Sequence, residues 1–328
     1  MEASSRARWF LPALLIGVVI SSQPGRADTT WNVWVGAQSK DLGRQALAFL
    51  PNEIWINQND SIAWHFAVDE IHTVTFLKDQ QVRPPFPVGC PGFAGPSATF
   101  DGTQCLSTPP LVKPQTFTVQ FTAVGNYKVV CLVHPDMTGT VHVLKPGDAL
   151  PHEQQYYDAR ADDQGDQLLE EADHDGHHGH GGWMHAAAHV VAAGDGEVTA
   201  TAGGTSTASL MRFTEDTITI HRGDTIEWDN NDPATPHTIT FGTEPLDPMP
   251  PSANVKTDAD GARHATLNTP ADSAHSGFIL AAPQDRIGLA QARLAATRFR
   301  VTFKGPGTYP YICALHDDLG MKGKVIVK

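Results

Sequence analysis

Ile218 and Ile220 alternate with Thr217 and Thr219, and earlier in the chain Ile54 and Ile56 hold the same two places. Alternation with period two marks a strand with one buried face. The match runs without a gap from Phe49 to Trp64 and from Phe213 to Trp228. The Phe, both isoleucines, the turn acid (Asp60, Asp224), the next isoleucine (Ile62, Ile226) and the Trp all coincide. Turn residues Asn59 and Asp60, like Gly223 and Asp224, predict a second strand ending at each Trp. The repeat returns where Phe117, Val119 and Phe121 alternate ahead of Gly125, Tyr127 and Cys131. Phe299, Val301 and Phe303 alternate ahead of Gly307, Tyr309 and Cys313. On a strand, residues four apart share one face, which pairs Tyr127 with Cys131 and Tyr309 with Cys313.

Short alternating strands parted by turns predict an all-β protein: one β-sandwich, duplicated in tandem. The first copy spans residues 28–147 and the second 191–328. Their middles differ. His72 and Cys131 bracket a shorter segment than His237 and Cys313, and the second insertion carries apolar residues at helical spacing (Ile287, Leu289, Ala292, Ala295). Residues 148–190 are acidic, rich in Gly and His, and poor in β-branched residues. They read as a flexible linker, with a turn or two of helix around Gln164–Ala172.

Composition adjusts this picture at the ends. Residues 1–27 carry Arg6 and Arg8, then an apolar run from Trp9 to Ile20, then Gly25 and Ala27. That is the pattern of a cleaved export signal, and it implies a periplasmic or secreted protein without stable membrane insertion after cleavage. The net charge of −13 is concentrated in the linker: −8 falls in 151–190, against −3 in 28–150 and −4 in 191–328. With no basic patch to neutralise phosphates, nucleic acid is not an expected partner.

The four cysteines divide by their neighbours. Cys90 and Cys105 lie in a Gly- and Pro-rich loop, and in an exported protein they are expected to pair. Cys131 is followed by His134 and Met137, and Cys313 by His316 and Met321; His72 and His237 stand alone upstream. A Cys131–Cys313 bond is the alternative, but the repeated neighbours speak against it. Two imidazoles, a thiolate and a weak thioether form a donor set suited to copper that changes oxidation state. The tract His174, His177, His178 and His180, beside Asp175, is a second candidate metal binder. Flexible His/Asp segments gather divalent ions, though a solvated spacer has the same composition.

On these motifs, both halves resemble cupredoxins, the plastocyanin- and amicyanin-like blue copper proteins. The segments from Ile71 to Phe76 and from Pro236 to Phe241 look like that family's first-ligand strand. Cys131, His134 and Met137 match the short amicyanin-type loop; Cys313, His316 and Met321 match the longer plastocyanin-type loop. Thr73 and Thr238 stand where plastocyanins usually place Asn, a departure at the position that tethers the ligand loop. The resemblance implies Greek-key sandwiches holding two type 1 coppers per chain. His72, Cys131 and His134 would be equatorial with Met137 axial, and His237, Cys313, His316 and Met321 would repeat those roles.

It also implies electron transfer with a redox protein such as a cytochrome or copper oxidoreductase. Electrons would leave through surface edges of His134 and His316, ringed by Leu132, Val133 and Pro135 or by Ala314, Leu315 and Leu319. Two-domain multicopper oxidases and nitrite reductases are the enzymatic rivals. They place further His beside the ligand Cys, whereas here Cys131 lies between Val130 and Leu132 and Cys313 between Ile312 and Ala314. Copper storage or delivery is the other alternative, favoured by the His-rich tract.

Overall fold

The computed structural model describes residues 28–84, 86, 90, 95–175, 189–281 and 296–328. Residues 1–27, read above as an export signal, lie outside these residues, as do His177, His178, His180 and the stretch from 285 to 295 for which the spacing predicts a helix.

The N-terminal half contains β1 (Thr30–Gln38), β2 (Arg44–Leu50), β3 (Glu53–Asn57), β4 (Ser61–Phe66) and β5 (Thr75–Phe76). It continues with β6 (Ser97–Phe100), β7 (Leu106–Ser107), β8 (Thr116–Phe121), β9 (Gly125–Val130) and β10 (Thr138–Leu144). Helix α1 (Gln154–Asp175) follows. The C-terminal half contains β11 (His189–Ala200), β12 (Thr205–Phe213), β13 (Thr217–Ile220), β14 (Thr225–Asn231), β15 (Thr240–Phe241) and β16 (Lys256–Thr257). It ends with β17 (Arg263–Leu267), β18 (Ala274–His275), β19 (Arg298–Phe303), β20 (Gly307–Ile312) and β21 (Lys322–Val327).

Each half has its own five-stranded sheet, ordered β3-β10-β9-β5-β7 and β13-β21-β20-β15-β18, so the sequence repeat is also a repeat of topology. Expected alternation holds where one face is wet: Phe117, Val119 and Phe121 are buried along β8 and Ile218 and Ile220 along β13. Two aromatic cores result. Trp64 packs edge-on against Phe49 and Phe76, and Trp228 against Phe241 and Tyr311. Tyr127 Oη donates to Ala123 O (3.0 Å) and Tyr309 Oη to Gly305 O (2.8 Å), pinning equivalent corners. Cys90 and Cys105 are disulfide-bonded.

The other sheets of the two halves are one. Strands β2 and β12 pair antiparallel, Leu47 opposite Thr207 and Ala46 opposite Ala208, making a continuous eleven-stranded sheet. Helix α1 crosses that seam. Its buried stripe is Tyr157, Ala161, Gly165, Leu168 and Ala172. Ala161, Leu168 and Ala172 meet Ala46, Ala48 and Leu50 of β2 and Ala208 of β12, and Tyr157 packs edge-on against Trp31 of β1. Polar contacts fix it to both halves: Gln164 donates to Asn52 Oδ1 (3.1 Å), and Thr199 Oγ1 donates to Glu171 (3.3 Å). The expected flexible linker is therefore corrected over residues 154–175. A spacing of four, four, three and four puts five small or apolar residues on one helical stripe, and Asp162, Asp163, Asp166, Glu170 and Asp173 are exposed.

Candidate metal centres

Each upstream histidine is locked by its backbone. His72 N donates to Leu111 O (3.0 Å) and Leu111 N to His72 O (2.8 Å). His237 and Ile279 make the same reciprocal pair at 3.1 and 2.9 Å. Cys131 follows the last residue of β9, and its N–H donates to Met137 O (2.9 Å); Cys313 follows β20 and donates to Met321 O (3.0 Å). These bonds close each ligand loop on itself. All eight sequence-derived donors are buried.

Side-chain geometry repeats too. In the first half, Cys131 Sγ lies 4.0 Å from His72 Nδ1 and 3.7 Å from His134 Nδ1, and the two nitrogens are 3.1 Å apart. In the second, the distances from Cys313 Sγ are 3.8 Å to His237 Nδ1 and 3.4 Å to His316 Nδ1, again with 3.1 Å between nitrogens. A triangle of that size has a central point about 2 Å from every corner, the length of a metal–nitrogen or metal–thiolate bond. Free cysteines 131 and 313 belong to different triangles, which removes the Cys131–Cys313 bond as an alternative.

The thiols are prepared as thiolates. Burial would raise both, but His134 and His72 around Cys131, and His316 and His237 around Cys313, bring each well below the ordinary thiol range. Burial opposes a charge on His134 as well; contacts with Cys131 and Glu70 outweigh it and push the imidazole up to about 9. In the second half the raised imidazole is the upstream one: against burial, Asp232 and Cys313 push His237 up to about 9. Burial lowers His72, with His134 adding to it, and together they outweigh the raising effects of Cys131 and Glu70. A metal cation held by these donors would take the place of the protons in balancing the thiolate.

Thr73 and Thr238 restore the loop tether that the sequence departure called into question. Thr73 Oγ1 accepts from Leu132 N and Thr238 Oγ1 from Ala314 N, both at 2.7 Å. Their own N–H groups point at sulfur, 3.4 Å from Cys131 Sγ and 3.3 Å from Cys313 Sγ. Behind them the halves diverge. Thr75 meets Ser107 in one, and Thr240 Oγ1 lies 2.8 Å from His275 Nδ1 in the other. Thr240 Oγ1 is in turn 3.4 Å from Thr238 Oγ1, so His275 is buried two hydrogen bonds behind the tether.

The expected surface exits are not there. His134 is 0 % and His316 3 % exposed. Leu132 and Leu319 are buried as well, and Leu319 packs into the core of the first half. Joining the halves through β2 and β12 turns the two ligand loops toward one another, and Glu70 lies between them. Its Oε1 is 3.3 Å from His134 Nε2 and its Oε2 3.5 Å from His316 Nε2. Glu70, Asp232, Gly36 and Gly194 were not singled out by sequence. Gly inside each first strand of the repeat, Gly36 in β1 and Gly194 with Gly196 in β11, was the available signal for a bulge. Glu70 carried none, because its counterpart in the repeat is Thr235.

Residues 198–328 match the family model described as copper binding proteins, plastocyanin/azurin family. Similar solved structures include a mutant plastocyanin of fern, at 22% identity, covering 42% of this chain and 99% of that one, with a TM-score of 0.22. The oxidized plastocyanin from Dryopteris crassirhizoma gives 19%, 42%, 99% and 0.21. A reduced mutant of amicyanin gives 17%, 44%, 86% and 0.23.

Proposed function

We propose that this cupredoxin carries single electrons through two type 1 copper centres, His72–Cys131–His134–Met137 and His237–Cys313–His316–Met321. The observation that carries this reading is the duplicated buried triad of two Nδ1 atoms and one Sγ, each sized for a single ion. Copper in such a mixed nitrogen and sulfur set supplies a one-electron couple, since the same donors serve both oxidation states. The chain's own part is to keep those donors still. Reciprocal backbone bonds hold His72 and His237, Thr73 and Thr238 hold the loops, and one N–H group per half stays aimed at the sulfur, where negative charge collects. The thioethers of Met137 and Met321, both buried, would supply the weak fourth donor of each set.

Electron carriage is favoured over catalysis. Neither ligand Cys has a neighbouring His, and among the described residues only these two triads gather three metal donors. The Cys90–Cys105 disulfide supports work outside the cytoplasm. The redox partner is a protein, and the unequal loop lengths and the Ser107/His275 difference give the centres unequal potentials.

Metal analysis, visible absorption and EPR of the purified protein test the reading. Two coppers per chain with intense thiolate-to-copper absorption are expected, and Cys131→Ser or Cys313→Ser each removes one. Colourless Cu(I) that stays colourless after mild oxidant would move the assignment to storage. An additional ordinary cupric signal would move it to an oxidase or reductase.

A further inference from the structure

Glu70 occupies the turn two residues before His72, with 6 % of its surface exposed. A buried carboxylate is costly unless opposite charge or hydrogen-bond donors surround it. Lys113 is committed to the neighbouring Asp69 at 2.5 Å. The ion-pair contacts of Glu70 are instead the Nε2 atoms of His134 and His316, one for each carboxylate oxygen. Their Nδ1 atoms point away from Glu70, into the two donor triangles. Atoms in contact therefore run from Cys131 through His134, Glu70 and His316 to Cys313. Asp232 makes a comparable contact, 3.5 Å from His237 Nε2, but serves the second half alone.

We propose that Glu70 is a shared positioning residue that couples the two metal centres, orienting both loop histidines and setting one negative charge against both. This rests on reading the triads as copper centres. An oxidised centre carries one more positive charge than a reduced one, so a fixed carboxylate favours the oxidised form of each. At its position between the loops it acts on both through contacts of nearly equal length. Two halves that carry separate donor sets then behave as one device, in which a change at either centre is felt through a common side chain.

Glu70→Gln keeps shape and removes charge, and potentiometry reads the result. Both midpoints are expected to rise together, whereas Asp232→Asn raises only that of the second half. Glu70→Asp, which keeps the charge, returns both midpoints toward the parent values. A shift confined to one centre in Glu70→Gln, or none at either, overturns the coupling. Zinc-loaded protein gives a readout that does not depend on copper colour. Nε2–H resonances of both His134 and His316 are expected to be protected from exchange in the parent and to lose protection together in Glu70→Ala. If the parent shows these resonances yet no thiolate–copper absorption, the electron-transfer reading fails and the link through Glu70 stands. If absorption is present and only one resonance responds, the link fails and the reading stands.

Discussion

A Cβ placed on Gly194 would stand 2.1 Å from His237 Nε2, inside any real contact distance. Gly194 sits at the irregularity of β11 between Ala193 and Asp195, with φ of +81°. Gly36 repeats the arrangement in β1, with φ of +79°, but there the added Cβ would meet a Val68 methyl at 2.7 Å and His72 Nε2 at 3.1 Å. Left-handed backbone alone costs an L residue about 1 kcal/mol, and at Gly194 the displaced ligand adds to it. Gly194→Ala is therefore expected to abolish tight copper binding in the second half and spare the first. Gly36→Ala should be milder, because a Val methyl yields more readily than a braced imidazole. Copper per chain and thermal unfolding of both variants check the order.

Thr73→Val and Thr238→Val remove a hydroxyl while keeping the branched shape. Each leaves a buried N–H, of Leu132 or Ala314, without the acceptor it has at 2.7 Å. An unsatisfied buried donor costs about 1–3 kcal/mol. The loop that carries His134 or His316 should loosen by that amount, so the copper of the mutated half is lost first to a chelator. Equal release rates from both halves of either variant would show that the hydroxyl does not hold the loop.

Much of this was legible in the sequence because the repeat is strict where the physics is strict. Ile54, Ile56, Ile218 and Ile220 had to alternate to build a one-sided strand, and Cys131 and His134 had to keep their spacing to share a metal. The seam was not legible. Along β2 nearly every residue is buried, since Leu47 and Phe49 face the core while Ala46 and Ala48 face α1, and a strand covered on both sides loses its period. Helix α1 was hidden by its own charge: the acids that make 151–190 read as a spacer line the solvent side of a helix whose other side is small and apolar. Glu70 was unreadable because its partners come from two loops, at positions 134 and 316, that meet only once β2 and β12 have paired.

Leu168 tests whether α1 is a structural element. It is buried with Ala46, Ala48 and Ala208 at the junction of the two halves. Leu168→Ala is expected to cost at least about 2 kcal/mol, the lower end for a buried leucine. Copper absorption should be unchanged, because Leu168 belongs to a cluster that contains none of the eight donors. A substitution without effect on unfolding would return residues 154–175 to the status of a spacer.

Acid should find Glu70 in the apoprotein. Burial pushes its carboxyl up, but His316 and His134 outweigh that and hold it at about 2, below its ordinary value of 4.5. The folded chain then binds fewer protons than the unfolded chain between those values. The stability this group contributes is fully present above 4.5 and is lost as pH falls toward 2. Glu70→Gln cannot make that contribution, so the difference in unfolding free energy between parent and variant should shrink on going from about pH 6 to about pH 3. Other carboxylates, such as Asp232 and Asp260, titrate alike in both proteins and cancel in the comparison. Denaturant titrations of the two apoproteins across that range measure the difference directly. A constant gap would mean that Glu70 is not held ionised by the two histidines.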